Sequence, residues 1–210
     1  MLIVIEGVDG SGKSTMAKEL HKYCTNVLKI KSILLKFPMY ESPYGKIIAR
    51  YLNGEFDPNL NYWIISTLYD CDKFNYKLIL QDHIKNHDIV ILDRYYLSNI
   101  AYSCAKMKDK EDTNSIIMNL WYLNNNIFEM PKPTLTFLMD IDNGNYLKIK
   151  KNRDQLEGND IHEQDLQLIN DTIKIYKYFD NLDYIDKLIK IPYISIENRL
   201  QLMINHLGTL

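Results

Sequence analysis

The run Gly7-Val8-Asp9-Gly10-Ser11-Gly12-Lys13-Ser14 constrains this chain more than any other stretch. It fits Gly-x-x-x-x-Gly-Lys-Ser and follows the apolar run Leu2, Ile3, Val4, Ile5. The arrangement predicts a strand that delivers a phosphate-binding loop to a helix opening near Ser14. Gly7, Gly10 and Gly12 let the backbone turn with its N–H groups inward, and the helix aims its positive end at the same place. The result is an anion nest over Gly7, Val8, Asp9, Gly10, Ser11, Gly12, Lys13, Ser14 and Thr15. Lys13 supplies a mobile charge for β- and γ-phosphates. The Ser14 hydroxyl is a ligand for Mg²⁺, an octahedral ion that takes few protein oxygens.

The rest of the composition narrows the setting. A length of 210 residues suits a single α/β domain, and 25 basic against 27 acidic residues leave a net charge of −2. No global field marks a nucleic-acid or membrane binder, and no run approaches the ~20 apolar residues of a membrane span. No basic n-region and no cleavable apolar stretch opens the chain. Cys24, Cys71 and Cys104 are odd in number and far apart, which fits reduced thiols better than a disulfide frame or zinc site. The expectation is a cytoplasmic protein. Only four arginines occur, Arg50, Arg94, Arg153 and Arg199, so each points to a place where a planar fork matters.

Along the chain, strands alternate with helices. Helix is predicted from Ser14 to Cys24, then a strand from Ser32 to Phe37 that Pro38 stops, then a helix begun by Pro43 and ended by Asn53-Gly54. A long helical stretch from Asn59 to about Asn86 carries Leu60, Ile64, Thr67, Cys71, Phe74 and Leu78 at spacings of three and four. Ile89 to Leu92 reads as a strand buried on both faces, with Asp93-Arg94-Tyr95 at its end. Helices follow over Tyr96 to Lys106 and Thr113 to Phe128, a strand over Leu135 to Met139, and a helix over Glu163 to Phe179. A last strand is expected at Tyr193 to Ile196 before a C-terminal helix. Tyr146 to His162 is polar and lysine-rich and reads as a mobile lid. The fold class is therefore α/β, a five-stranded parallel sheet with helices on both faces and ligands at the strands' C-terminal ends.

The residues around that edge resemble thymidylate kinase. The resemblance rests on Glu6 to Thr15, Phe37-Pro38 before a helix with Gly45-Lys46, Asp93-Arg94-Tyr95 followed by Ser98, Asn99, Ala101 and Tyr102, and Met130-Pro131-Lys132-Pro133 before a strand. It runs from residue 1 to about 180. The family implies transfer of the γ-phosphoryl group of ATP to dTMP, giving dTDP and ADP for dTTP biosynthesis, with Mg²⁺ and a homodimer. Phosphoryl transfer needs two anions held in line and cations converging on them. Lys13, Arg94 and Arg153 are the candidates, with Asp9 beside them. Since Gly10 stands where some members carry a loop arginine, the missing charge is expected from the lid, Arg153 first and Lys148, Lys150 and Lys151 after it.

For the acceptor, the resemblance puts Tyr69 against thymine, Lys73 on a base oxygen, Asn99 on the pyrimidine edge and Asp9 on the 3′-hydroxyl. Phe37, Pro38, Ser98, Tyr102 and Arg94 complete the pocket, and Tyr40 offers a hydroxyl to the acceptor phosphate. His162 stands near the sugar's 2′ position. Ser14, Asp9, Asp93 and Glu163 are the candidate metal ligands. Three departures are specific to this chain: Lys73 and Met39 stand where the family often has arginine, and His162 replaces a tyrosine. Arg50 or Lys36 could compensate at the acceptor phosphate. Ser195, Glu197 and Arg199 are candidates near adenine. A kinase for another deoxynucleoside monophosphate or a deoxynucleoside is the alternative. A nucleotide-binding switch is the reading from a different class, disfavoured by the lack of an Asn-Lys-x-Asp sequence.

Overall fold

The computed structural model describes residues 1–57, 60–107, 112–142, 144–146, 165–186 and 188–208. Five strands, β1 (Leu2–Glu6), β2 (Ser32–Lys36), β3 (Ile89–Asp93), β4 (Leu135–Met139) and β5 (Ile189–Ile191), form one parallel sheet in the order β2-β3-β1-β4-β5. β1 and β3 are buried throughout because both faces of the sheet are covered. Leu2, Val4, Val90 and Leu92 face the layer that contains α5 (Tyr96–Met107), α6 (Thr113–Tyr122) and α7 (Leu166–Tyr178). Ile3, Ile5, Ile89 and Ile91 face α1 (Lys13–Lys22) and α8 (Ile196–Leu207). Two-sided burial explains why these strands read as unbroken apolar runs.

The register places the chemistry. Ile5 pairs with Asp93 and Lys36 with Asp93, so Gly7, Phe37 and Arg94 leave the sheet side by side. The Arg94 N–H still donates to the Ile5 carbonyl at 3.0 Å, which ties the strand's exit to the loop's entry.

Three expected elements are corrected. The last strand lies at Ile189–Ile191, where it pairs with Phe137–Met139. Pro192 ends it, and the Ser195 hydroxyl caps α8 by accepting from the Asn198 N–H at 3.3 Å. The long helix is two, α3 (Tyr62–Asn75) and α4 (Lys77–Asn86), hinged at Tyr76. Its apolar stripe faces outward: Ile64, Phe74 and Leu78 are exposed, whereas Ser66, Asp70 and Lys73 are buried. The helices after β1 and after α5 end in π-helical turns, Tyr23–Val27 and Leu123–Ile127, and α7 is described only from Leu166. The predicted start at Glu163 lies outside the described residues.

Ile91 sits at the centre of the sheet with no exposure. Ile91→Ala removes buried methylenes from a site the sheet cannot collapse around. Urea denaturation should show a loss of about 2–5 kcal/mol with an unchanged slope.

Candidate active site

The loop between β1 and α1 turns through left-handed glycines, as a phosphate nest requires. Gly10 and Gly12 hold φ of +80° and +92°, the left-handed region, and the Met16 N–H closes the first helical turn on the Gly12 carbonyl at 3.0 Å. Lys13 is buried and folds back to donate to the Val8 carbonyl at 2.7 Å, with Asp9 3.7 Å away. Burial first, and the Arg94 charge second, lower its pKa from the usual lysine value to about 8. Ser14 Oγ donates to Asp93 Oδ2 at 2.5 Å.

Arg94 stands at the end of β3 with φ +71°, a conformation a non-glycine residue holds only when its surroundings fix it. Nη1 donates to the Gly7 carbonyl and to Ser98 Oγ, each at 3.1 Å, and Nη2 bonds Asp9 Oδ1. Burial opposes the guanidinium's charge, but the Asp9 carboxylate outweighs it and holds the group firmly protonated. Tyr102 OH completes this cluster by donating to Asp9 Oδ2 at 2.8 Å.

Glu6 organises the layer beneath. It is fully buried at the end of β1, and Oε1 accepts the N–H groups of Tyr95 at 3.0 Å and Ser98 at 3.3 Å, the free donors at the start of α5. Oε2 accepts from Ser98 Oγ and from Tyr176 OH, the latter at 3.1 Å. Burial raises its pKa, opposed by these bonds and by Arg94.

A cleft opens beside the loop. Its wall brings together Asp9, Phe37, Pro38, Tyr40, Tyr69, Lys73, Arg94, Ser98, Asn99 and Tyr102. The Phe37-Pro38 peptide is cis, and the following turn is held by buried Asp72, which accepts from the Met39 N–H at 2.8 Å and Ser42 Oγ at 2.5 Å. α2 (Pro43–Leu52) packs so closely on this turn that a Cβ at Gly45 would stand 1.9 Å from the Met39 carbonyl oxygen. On α3, Lys73 Nζ donates to the Tyr69 carbonyl at 2.8 Å and pairs with Asp70 at 3.5 Å. Asn99 lies inside α5 and donates from Nδ2 to the Ser66 carbonyl at 3.0 Å.

A glycine-rich nest, a lysine on it, and an arginine shared between nest and neighbouring cleft are the parts of a phosphoryl-transfer site. The thymidylate kinase family model matches residues 5–187. The chain belongs to the thymidylate kinase family. It is 33% identical over 149 residues to the thymidylate kinase of Caenorhabditis elegans, covering 67% of this chain and 63% of that one. It is 30% identical over 183 residues to that of Mycobacterium tuberculosis, covering 84% of each. The solved thymidylate kinase of Candida albicans superposes with a TM-score of 0.78 at 26% identity, over 99% of this chain and 91% of that one. Like other thymidylate kinases, this chain is an ATP-dependent nucleoside monophosphate kinase, with the fold the family shares.

Within this thymidylate kinase, the remaining candidates fall as follows. Arg153, His162, Glu163, Lys148, Lys150 and Lys151 lie outside the described residues. Arg50 is exposed, bonds Glu55 at 2.8 Å and is not on the wall of the cleft. Arg199 reaches the loop backbone. Glu6, Asp70, Asp72 and Tyr176 carried no assigned role in the sequence. The readable signal for Asp70 was polar residues at helical spacing, Ser66, Asp70 and Lys73 at i, i+4 and i+7.

A lowered Lys13 pKa has a definite sign. Between about pH 8 and 10.5 the unfolded chain binds more protons than the folded one, so Lys13 costs stability below pH 8 and that cost fades as pH rises. In its expected role on the ATP phosphates, Lys13 acts in the charged form. The pH profile of kcat/KM for ATP should therefore fall above about pH 8, while kcat stays flat further because bound phosphates restore the charge. A kcat/KM profile flat past pH 9.5, roughly 1.5 units higher, would contradict it.

Proposed function

We propose that the chain, as one domain, transfers the γ-phosphoryl group of ATP to dTMP across Arg94, supplying dTDP for dTTP synthesis in the cytoplasm. The observation that carries this is the position of the Arg94 guanidinium, which touches the loop at the Gly7 carbonyl and the acceptor cleft at Asp9 and Ser98. A cation placed there meets both substrates' phosphates. The nucleophile is a phosphate oxygen that is already largely ionised near pH 7, so no general base is required. Catalysis then reduces to alignment and charge neutralisation.

In this reading the loop amides and Lys13 bind the ATP phosphates. Mg²⁺ suits Ser14 and Asp93, because their oxygens already adjoin and Asp93 Oδ1 is buried without a hydrogen-bond partner among the described residues. Bound there, the ion supplies charge neutralisation on the phosphates. Asp9 faces the acceptor cleft, held by Arg94 and Tyr102, and takes the sugar 3′-hydroxyl. Tyr69 and Phe37 enclose the thymine, Lys73 and Asn99 meet its polar edge, and Tyr40 meets the acceptor phosphate. By resemblance, Arg153 is assigned to the transferred group, His162 to the sugar and Glu163 to the metal, all three outside the described residues.

The outward apolar face of α3 and α4 supports a homodimer. Ile64, Phe74, Leu78 and Ile79 are 45–76% exposed there, while the polar face of α3 turns inward. The free state of Cys24, Cys71 and Cys104 supports a reducing compartment. Among the described residues, no helix is long and apolar enough to cross a membrane.

Coupled ADP release with dTMP, dUMP, dGMP, dCMP and ribo-TMP tests the assignment. dTMP should be preferred, with dUMP about 10–100-fold lower in kcat/KM for want of one methyl group. Arg94→Ala and Arg94→Lys should each lower kcat by at least about 10³-fold, since lysine cannot replace the fork. Equal rates on dGMP and dTMP would contradict the base assignment and favour a broader kinase, for which Lys73 and Met39 leave room. Nucleotide binding without turnover would favour the switch.

A further inference from the structure

We infer that Arg199 is a positioning residue for ATP: from α8 it holds the Ser11–Gly12 peptide so that the Gly12 N–H faces the phosphates. Nη1 donates to the Ser11 carbonyl oxygen at 3.1 Å across 188 residues of sequence. A trans peptide points its C=O and N–H in opposite directions. Holding the Ser11 oxygen toward α8 therefore aims the Gly12 N–H into the nest. The guanidinium also polarises that peptide and places a positive charge behind the anion site.

Three observations set this contact apart from ordinary helix packing. Gly12 has φ +92°, and a Cβ there would stand 2.8 Å from Arg199 Nη1, so the glycine serves both the turn and the arginine. Arg199 is 7% exposed, and its Nε is buried with no hydrogen-bond partner among the described residues. Its guanidinium lies 5.1 Å from the Tyr193 ring centroid, and no carboxylate faces it among the described residues. A buried cation without a counter-ion is costly. Beside it, α1 and α8 already pack through apolar Met16, Leu20 and Met203, so a charge is not needed to join them. It is needed if the anion arrives with the nucleotide.

This inference rests on the loop being the ATP phosphate site, and the test separates the two. The full chain and its Arg199→Met and Arg199→Lys variants are titrated calorimetrically with tripolyphosphate, ADP, AMP and dTMP, beside steady-state kinetics. Arg199→Met should weaken tripolyphosphate and ADP about tenfold and raise KM for ATP similarly, with AMP and dTMP within about twofold. Arg199→Lys should recover part of the loss. An equal loss on AMP overturns the inference in favour of an adenosine contact. Unchanged tripolyphosphate affinity overturns it in favour of a purely structural arginine. If Arg199→Met does not fold, Arg199→Lys carries the test, with a loss of about threefold expected and no loss overturning it. Failure of the wild-type chain to bind tripolyphosphate or ADP overturns the loop reading and this inference together.

Discussion

A buried guanidinium at the end of the central strand sets the terms for the rest of the structure. Arg94 is only 14% exposed in its side chain, yet it must remain charged next to the proposed phosphate loop. Burial works against that charge, so the fold surrounds it with acceptors: Asp9, the Gly7 carbonyl and Ser98. Ser98 is fixed in turn by Glu6, which also holds the first N–H groups of α5. The β1–β3 register makes this possible, because Ile5 opposite Asp93 brings the loop and the arginine out of the sheet together. Remove one acceptor, and what remains is an uncompensated buried charge rather than a missing contact.

The same trade recurs on α3. Ser66, Asp70, Asp72 and Lys73 are buried where a stabilising helix would place leucines. Asp70 pairs with Lys73, and Asp72 holds the turn after Pro38. Burial raises the Asp70 pKa and lowers that of Lys73, each opposed by the other's charge. These groups cost folding energy and are retained where they shape the cleft and its polar edge, as fits a site whose precision depends on supporting side chains.

Much of this was legible in the sequence, for identifiable reasons. Glycine spacing and a preceding apolar run specify the loop because few backbones satisfy both, and continuous apolar strands specify a two-sided sheet. The residues of the cleft wall came from the resemblance to the family, not from spacing or periodicity. The face that α3 turns to the core was not readable, because periodicity reports that a stripe exists, not which side is core. There the apolar side points outward and the polar side inward. The final strand was misplaced because Ile189 to Ile191 is a three-residue strand whose pairing depends on Phe137 to Met139, distant in sequence. Arg199 belongs to the same class: 188 residues separate it from Ser11, and no local pattern encodes such a contact.

In the proposed function, Arg94 lies between two ligand sites that face each other across it. Calorimetric binding of a compound that joins adenosine and thymidine through a polyphosphate chain tests this most directly. Occupying both sites at once should make it bind at least about a hundredfold more tightly than the better of ADP and dTMP, an advantage lost in Arg94→Ala. Binding no tighter than the better single ligand would mean that the loop and the cleft do not share one phosphate path, and would contradict the account.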